Sequence, residues 1–481
     1  MSNKTYSAVK QDVLANTGED QKLQEVIGLV SERLIQYIWH KQMLRSPLLS
    51  LDGQTIEVIQ PGFWNKEAGP DFTRAVLRID GVEFTGDVEI HIKAEDWMGH
   101  GHDLDRRYDG VILHVALIKG VRDYFTKTTE NRLVPMVLIA QQLVSPLIDI
   151  YDDFDDSGFT DEVKVIPGRC SLPMAGMATQ DINDILEVAG TERFILKARR
   201  LNRMLNRAGK TQALWECLLE ALGYKSNKTA FKSLARFAPH HELENLPISH
   251  RHALLMGVAG FLPAGTLDTI PSANRSYVKD LWDVWWKYRG GYEDKMISLK
   301  SWKLSGLRPI NHPQRRISAA AKLVPVVERI LKELGRREGV FSLDKIKQPT
   351  LEDEFWSYHY TFTSAPSPKA LAIIGPGRWR DIQINVLLPM AYAIAETDKR
   401  RDEVIQSLKG LPAGEVNTVV RTASYRLRVP PRCLNKAIRQ QGLHQVFHDF
   451  CLTDKTGCEK CLFPELIKRW TQTNVREGGI G

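Results

Sequence analysis

Between residues 55 and 140 apolar and polar positions alternate in short runs, whereas beyond about residue 176 apolar positions recur every three to four residues over long stretches. These are the periods of strands and of amphipathic helices. TIEVIQPG (55–62) reads as a strand ended by Pro-Gly, and DFTRAVLRI (71–79) as a second strand. Asp80-Gly81 is a two-residue hairpin signal, because both positions of such a turn need φ > 0. VEFTGDVEIHIK (82–93) then predicts a third strand, with a bulge or bend at Gly86. VILHVALI (111–118) and VPMVLIA (134–140) predict two more. The segment DWMGHGHDLDRRYDG between them predicts a loop holding one helical turn. Ahead of the strands, Leu23, Val26, Ile27, Val30, Leu34, Ile38 and Met43 fall on one face of a helix over 21–46.

The second half is helical in pattern. TERFILKARRLNRMLNRAG, ALWECLLEALGYK, FKSLARFAP and RRISAAAKLVPVVERILKELGR each predict a helix, the last started by His312-Pro313. WSYHYTF (356–362) predicts a short strand, and SAPSPKA (364–370) a surface loop. The expected fold class is α+β. The expected division is a flexible lead-in over 1–20, an α/β domain over 21–160, a mainly helical domain over 161–430 and a cysteine-rich unit over 431–481.

Composition narrows the class. The 481 residues are 43% hydrophobic and 26% charged, which suits a soluble globular chain with a large core. No run of about 18 apolar residues occurs, and the polar N-terminus lacks a signal-peptide core, so a cytoplasmic protein with no membrane partner is expected. A net charge of +7 permits a nucleic-acid partner without requiring one.

The chemistry concentrates in GPDFTRAVLRIDGVEFTGDVEIH (69–91). On a strand, Asp87, Glu89, His91 and Lys93 share a face, and counting back from the turn brings Asp71 close to the level of Asp87 to Glu89. Two carboxylates so placed would share a divalent ion, Mg²⁺ or Mn²⁺. His100 and His102 follow in the next loop and would add imidazole ligands, while His114, inside an apolar strand, reads as a hydrogen-bonded core histidine.

Pro70-Asp71, a hairpin and Glu89-Ile90-His91 resemble the PD-(D/E)xK motif of the restriction-endonuclease-like nucleases, whose αβββαβ core the element order also resembles. The resemblance implies a divalent-metal-dependent nuclease acting on DNA, with Asp71, Glu89 and the helix residue Glu32 as metal ligands. His91 stands where that superfamily has lysine, and Lys93 is the substitute nearest to it. Two alternatives follow: a catalytically degenerate nucleic-acid-binding protein, and a His/Asp/Glu metallohydrolase of a small substrate. Over most of its length the chain is also similar to a bacterial family of unknown function, frequent in Bacteroidetes. That similarity rests on GPDFTRA, GDVEIH, DWMGHGHDLDRRYDGVILHV, LRPINHPQRRI and the terminal cysteines.

Cys451, Cys458 and Cys461 have spacing suited to a structural metal, Zn²⁺ before an iron–sulfur cluster. A fourth ligand is required, and the candidates are His448 nearby, His444 and Cys433, and the distant Cys170. Three basic stretches are candidates for following a phosphate backbone: Arg199 and Arg203; Arg308, Arg315 and Arg316; and Arg378 and Arg380 beside Trp379, which would stack on a base.

Overall fold

The computed structural model describes residues 30–65, 68–120, 125–144, 147, 150, 166–224, 226–451, 458 and 461–478, the last seven of these without their side chains. The lead-in 1–20 and the start of the first expected helix lie outside these residues. The chain forms two compact units, one over 11–164 and 448–462, the other over 1–10, 165–447 and 463–481. Residues 431–481 are thus shared between them.

The first unit opens with α1 (Glu32–His40), capped by Ser31, whose Oγ accepts from the Leu34 amide at 3.3 Å. Six strands run in the sheet order β1 (Leu48–Leu49), β2 (Thr55–Gln60), β4 (Phe72–Ile79), β5 (Val82–Lys93), β6 (Val111–Ile118), β7 (Met136–Leu138), and β3 (Phe63–Trp64) pairs with the end of β4. The β2, β4 and β5 ladders are antiparallel, while β5–β6 and β6–β7 are parallel. A parallel neighbour needs a crossover. Here it is α2 (Asp96–Gly99) followed by two 3₁₀ turns, so the histidine-rich segment carries more helix than the single expected turn. Leu34, Ile35, Ile38 and Trp39 of α1 are buried in one core with Phe72, Leu77, Val88, Ile90, Leu113 and Val115 of the sheet.

The Asp80-Gly81 turn forms as expected, with φ of 46° and 83° and Ile79 paired to Val82. The bulge is displaced from its expected place. Phe72 pairs with Val88 and Ala75 with Gly86, so the extra residue lies on β4, where Arg74 takes φ 56°. Gly86 is needed for a different reason: a Cβ there would meet Ile112 Cγ2 at 2.4 Å. Asp87 Oδ1 accepts from the Arg74 amide at 3.1 Å, satisfying a donor that the bulge removes from the ladder.

This shift sets the functional register. Continued from the turn without it, Asp71 would lie opposite Ile90. With Phe72 opposite Val88, the register carries Asp71 to Glu89. Directly opposed residues of antiparallel strands share a face, and a slip of one residue exchanges faces.

The second unit is helical. α3 (Thr179–Leu222) is broken at Gly209 (φ 78°, ψ 169°), between the two patterns read from the sequence. α4 (Lys228–Phe237), α5 (His240–Leu243), α6 (Ile248–Val258), α7 (Ser272–Tyr288) and α8 (Pro313–Leu334) follow, and α9 (Ala437–Val446) crosses α3. At that crossing a Cβ on Gly190 would lie 2.1 Å from the Ile438 carbonyl, and one on Gly442 1.8 Å from that of Leu186.

Residues 356–362 form turns and bends, not the expected strand. Asp353 Oδ1 accepts from the amides of Phe355 and Trp356, and the Trp356 carbonyl accepts from Arg315 Nε at 3.1 Å. Side chains meet these backbone groups in place of a neighbouring strand. Trp356 and Phe362 are buried because they pack into the helical core, so their apolar spacing carried no strand period.

Candidate metal centre

Asp71 and Glu89 are both buried and joined directly: the Asp71 amide donates to Glu89 Oε2 at 2.9 Å. Asp71 Oδ2 accepts from the Ile90 amide at 3.1 Å, and Oδ1 from Gln36 Nε2 at 2.7 Å. Gln36, one turn after Glu32 on α1, is the helix residue whose bond to the motif aspartate is seen. Glu32 is half-buried at the start of that helix. The i, i+4 spacing of the two residues was the available sequence signal for Gln36.

Glu89 also faces the imidazoles. Its Oε1 lies 3.6 Å from His91 Nε2 and 3.4 Å from His102 Nε2. Both distances exceed the N–H···O mode of about 2.9 Å. They approach the separation of about 3.3 Å between tetrahedral ligands each 2.0–2.1 Å from an ion. One ring nitrogen from each of His91, His100 and His102 lies within 4.8 Å of the other two. His91 and His102 are buried and His100 is exposed, so the cluster is open on the His100 side.

Two structures hold the rings. His102 stacks on Tyr108, with centroids 3.8 Å apart, and Trp97 meets His102 edge-on at 5.5 Å. Trp97 is anchored by its indole N–H to the Lys127 carbonyl at 3.0 Å. Behind His91, His91 Nδ1 is 3.0 Å from His114 Nε2, and His114 Nδ1 is 2.8 Å from Thr126 Oγ1. His114 lies opposite Glu89 in the β5–β6 ladder and is fully buried. Burial, with His102 adding a smaller repulsion, pushes its pKa down to about 3. It is therefore the hydrogen-bonded core histidine the sequence suggested. Thr126 carried no sequence signal, since its part depends on a loop folding back over β6.

Lys93 closes β5 half-buried, its amide donating to Asp96 Oδ2 at 3.0 Å. Cys451, Cys458 and Cys461 are half-buried, and His448 Nδ1 is 3.4 Å from Asp449 Oδ1. Most of the chain between those cysteines lies outside the described residues. Cys170 and Cys433 are buried in the helical unit.

The basic stretches divide by burial. Arg315 and Arg316 are buried, contrary to the expected phosphate-facing role. Arg315 binds the carbonyls of Trp356, Leu371 and Ala372, and Arg316 binds that of Ile373 and Asn311 Oδ1. A guanidinium committed to carbonyls inside the core has no face to offer a phosphate. Trp379 is buried as well, which removes it as a base-stacking platform. Arg378 lies over the Tyr224 ring at 3.4 Å and 3.5 Å from Asp381, and Arg380 and Arg203 are half-buried. Arg199 and Arg308 are exposed.

No curated protein and no solved structure matches the chain. One family model matches residues 32–417. That span takes in the motif hairpin, the histidine-rich crossover and the His312-Pro313 helix start, and ends before the terminal cysteines. The chain belongs to the family described as protein of unknown function DUF2851.

Proposed function

We propose that the chain is a divalent-metal-dependent hydrolase of phosphodiesters, with its ion held by Glu89, His91 and His102 and by His100 at the open side. The observation carrying this reading is the meeting of three imidazoles, with a ring nitrogen of each within 4.8 Å of the others, beside the Glu89 carboxylate, which lies 3.6 and 3.4 Å from His91 and His102. Of the two ions expected, this donor set favours Mn²⁺ over Mg²⁺, which prefers oxygen, and it also suits Zn²⁺. An ion so held supplies Lewis acidity at a phosphoryl oxygen and lowers the pKa of nearby water. Asp71 acts through Glu89, orienting it with its amide while Gln36 and the Ile90 amide hold the Asp71 carboxylate.

DNA as the substrate is supported by the motif order and by an element order that contains αβββαβ once the two-residue strands β1 and β3 are set aside, with β7 added as a further parallel strand. A small-molecule phosphodiester is the second reading, favoured by the burial of Arg315, Arg316 and Trp379, which shrinks the expected nucleic-acid surface. Zn²⁺ at Cys451, Cys458 and Cys461 is an accompanying proposal, tested by metal analysis of the purified chain.

The experiment incubates the protein and Mn²⁺ with linear, circular and single-stranded DNA, and separately with a chromogenic diester, beside Glu89→Gln and His102→Ala. Cleavage abolished by both substitutions is the expected result. Cleavage untouched by either overturns the assignment. DNA retention without hydrolysis of any substrate identifies the degenerate binding protein.

A further inference from the structure

The helical unit holds a second cluster with the chemistry of an ion site, independent of the one above. His240 opens α5 and is buried. Its Nε2 lies 2.9 Å from the Val324 carbonyl of α8. A carbonyl only accepts, so Nε2 carries the hydrogen and the neutral ring keeps its lone pair on Nδ1. Nδ1 is buried and has no hydrogen-bond partner among the described residues. A buried polar atom in that state costs about 1–3 kcal/mol unless something meets it.

Two carboxylates approach it. Glu244, four residues on, places Oε2 at 3.5 Å from Nδ1. Glu328 follows Val324 by one turn of α8, so the helix that accepts the Nε2 hydrogen also supplies a carboxylate on the same face. One oxygen of each glutamate and one ring nitrogen of His240 all lie within 4.8 Å of one another. The parts are oriented. Thr211 Oγ1 donates to Glu328 Oε1 at 2.8 Å, the His240 amide donates to Gln212 Oε1 at 3.0 Å, and Trp215 meets the ring at 6.0 Å and 70°.

We infer that His240, Glu244 and Glu328 bind a divalent cation, Zn²⁺ or Mn²⁺, that ties α5 and the residue after it to α8. One imidazole nitrogen and two carboxylate oxygens make a borderline-hard set for which both ions are suited, and Mg²⁺ and soft Cu⁺ are not. The competing occupant is a proton on Nδ1 paired with Glu244. A charge-assisted N–H···O bond runs about 2.7–2.9 Å, shorter than the 3.5 Å observed. Both glutamates are exposed, so the ion side faces water and the histidine side faces the core.

The test uses the full chain and counts bound Mn²⁺ from the electron-resonance signal of the ion left free, since Mn²⁺ avoids cysteine thiolates. Wild type is compared with Glu244→Gln, Glu328→Gln and Glu89→Gln, with melting recorded with and without ion. The expected result is that Glu244→Gln and Glu328→Gln each weaken one equivalent at least tenfold and reduce the Mn²⁺-dependent rise in Tm. Glu89→Gln leaves that equivalent in place whatever the fate of the site in the sheet unit. Isotherms of Glu244→Gln and Glu328→Gln that coincide with wild type overturn the inference. If in addition Glu244→Gln lowers the Tm of ion-free protein, the occupant of Nδ1 is a proton.

Discussion

His91 Nδ1 and His114 Nε2 lie 3.0 Å apart, and the second nitrogen of His114 continues the chain to Thr126. Two proton arrangements satisfy these bonds. In one, hydrogens point from His91 to His114 to Thr126, and His91 Nε2 keeps its lone pair toward Glu89. In the other, every hydrogen points back and Nε2 is protonated. An ion at Nε2 would select the first arrangement, so His114, and Thr126 through it, would fix the tautomer of His91 without touching the ion. Thr126→Val is expected to weaken Mn²⁺ or Zn²⁺ binding in the sheet unit about tenfold, and His114→Phe about a hundredfold. Equilibrium dialysis against a Glu89→Gln control reads both values.

The bulge at Arg74 gives a sharper test. Deleting Arg74 removes the extra residue but keeps Asp71 opposite Glu89, because Thr73 then meets Asp87 and Phe72 keeps Val88. The sheet pairs regularly from the turn outward, and Asp71 stays on the face of Glu89. Ion affinity and any hydrolysis should stay close to wild type, whereas Asp71→Ala lowers both, with the far-ultraviolet spectrum preserved in each. A deletion variant as impaired as Asp71→Ala would show that the bulge itself, and not the facing of Asp71 and Glu89, sets the site.

The α3–α9 crossing predicts a stability effect far from any chemistry. Gly190 and Gly442 each face a backbone carbonyl of the other helix. Backbone cannot rotate aside as a side chain does, so a single methyl must push the helices apart. Gly442→Ala is expected to cost about 1–3 kcal/mol, the usual range for overpacking, despite the better helix propensity of alanine. Urea unfolding of the two proteins measures it.

Acid should destabilise the helical unit through histidines that the fold keeps neutral. Burial lowers the pKa of His252 to about 4 and that of His312 to about 4. Their unfolded values are about 6.5, so between pH 6.5 and 4 the unfolded chain binds more protons and stability falls as pH falls. Each group contributes a slope of up to about 1.4 kcal/mol per pH unit in that window, and nothing above it. Unfolding midpoints at pH 7, 6 and 5 for wild type and His312→Asn check the sign and the share.

Much of the sheet unit was legible because its signals are local. Strand alternation and the Asp80-Gly81 turn delimited β5 and β6 to the residue. Glu89 and His91 announced themselves on a strand whose other face was apolar. What stayed hidden depended on chain segments meeting at a distance. Gln36, Thr126 and the His240–Glu328 pair gain meaning only once α1, the 126 loop and α8 are packed. Arg315 and Arg316 misled for a related reason. Basic residues at a Pro-anchored helix start have the same appearance whether they face phosphate or backbone carbonyls 41 to 57 residues away. Only the burial of the two arginines against those carbonyls decides between them.

The Arg74 bulge also constrains how relatives of this chain can vary. The distance along the sequence from Pro70-Asp71 to Glu89-Ile90-His91 is counted through a hairpin whose faces alternate. Members of the family that keep both motifs can lengthen or shorten this hairpin only in matched steps across its two strands, or by changing the turn together with the bulge. An unmatched single-residue gap anywhere but at the bulge would turn one carboxylate to the wrong side. Spacing between the motifs should therefore keep one parity in members with the bulge, and a member that has the bulge and the other parity should have lost Asp71, Glu89 or both.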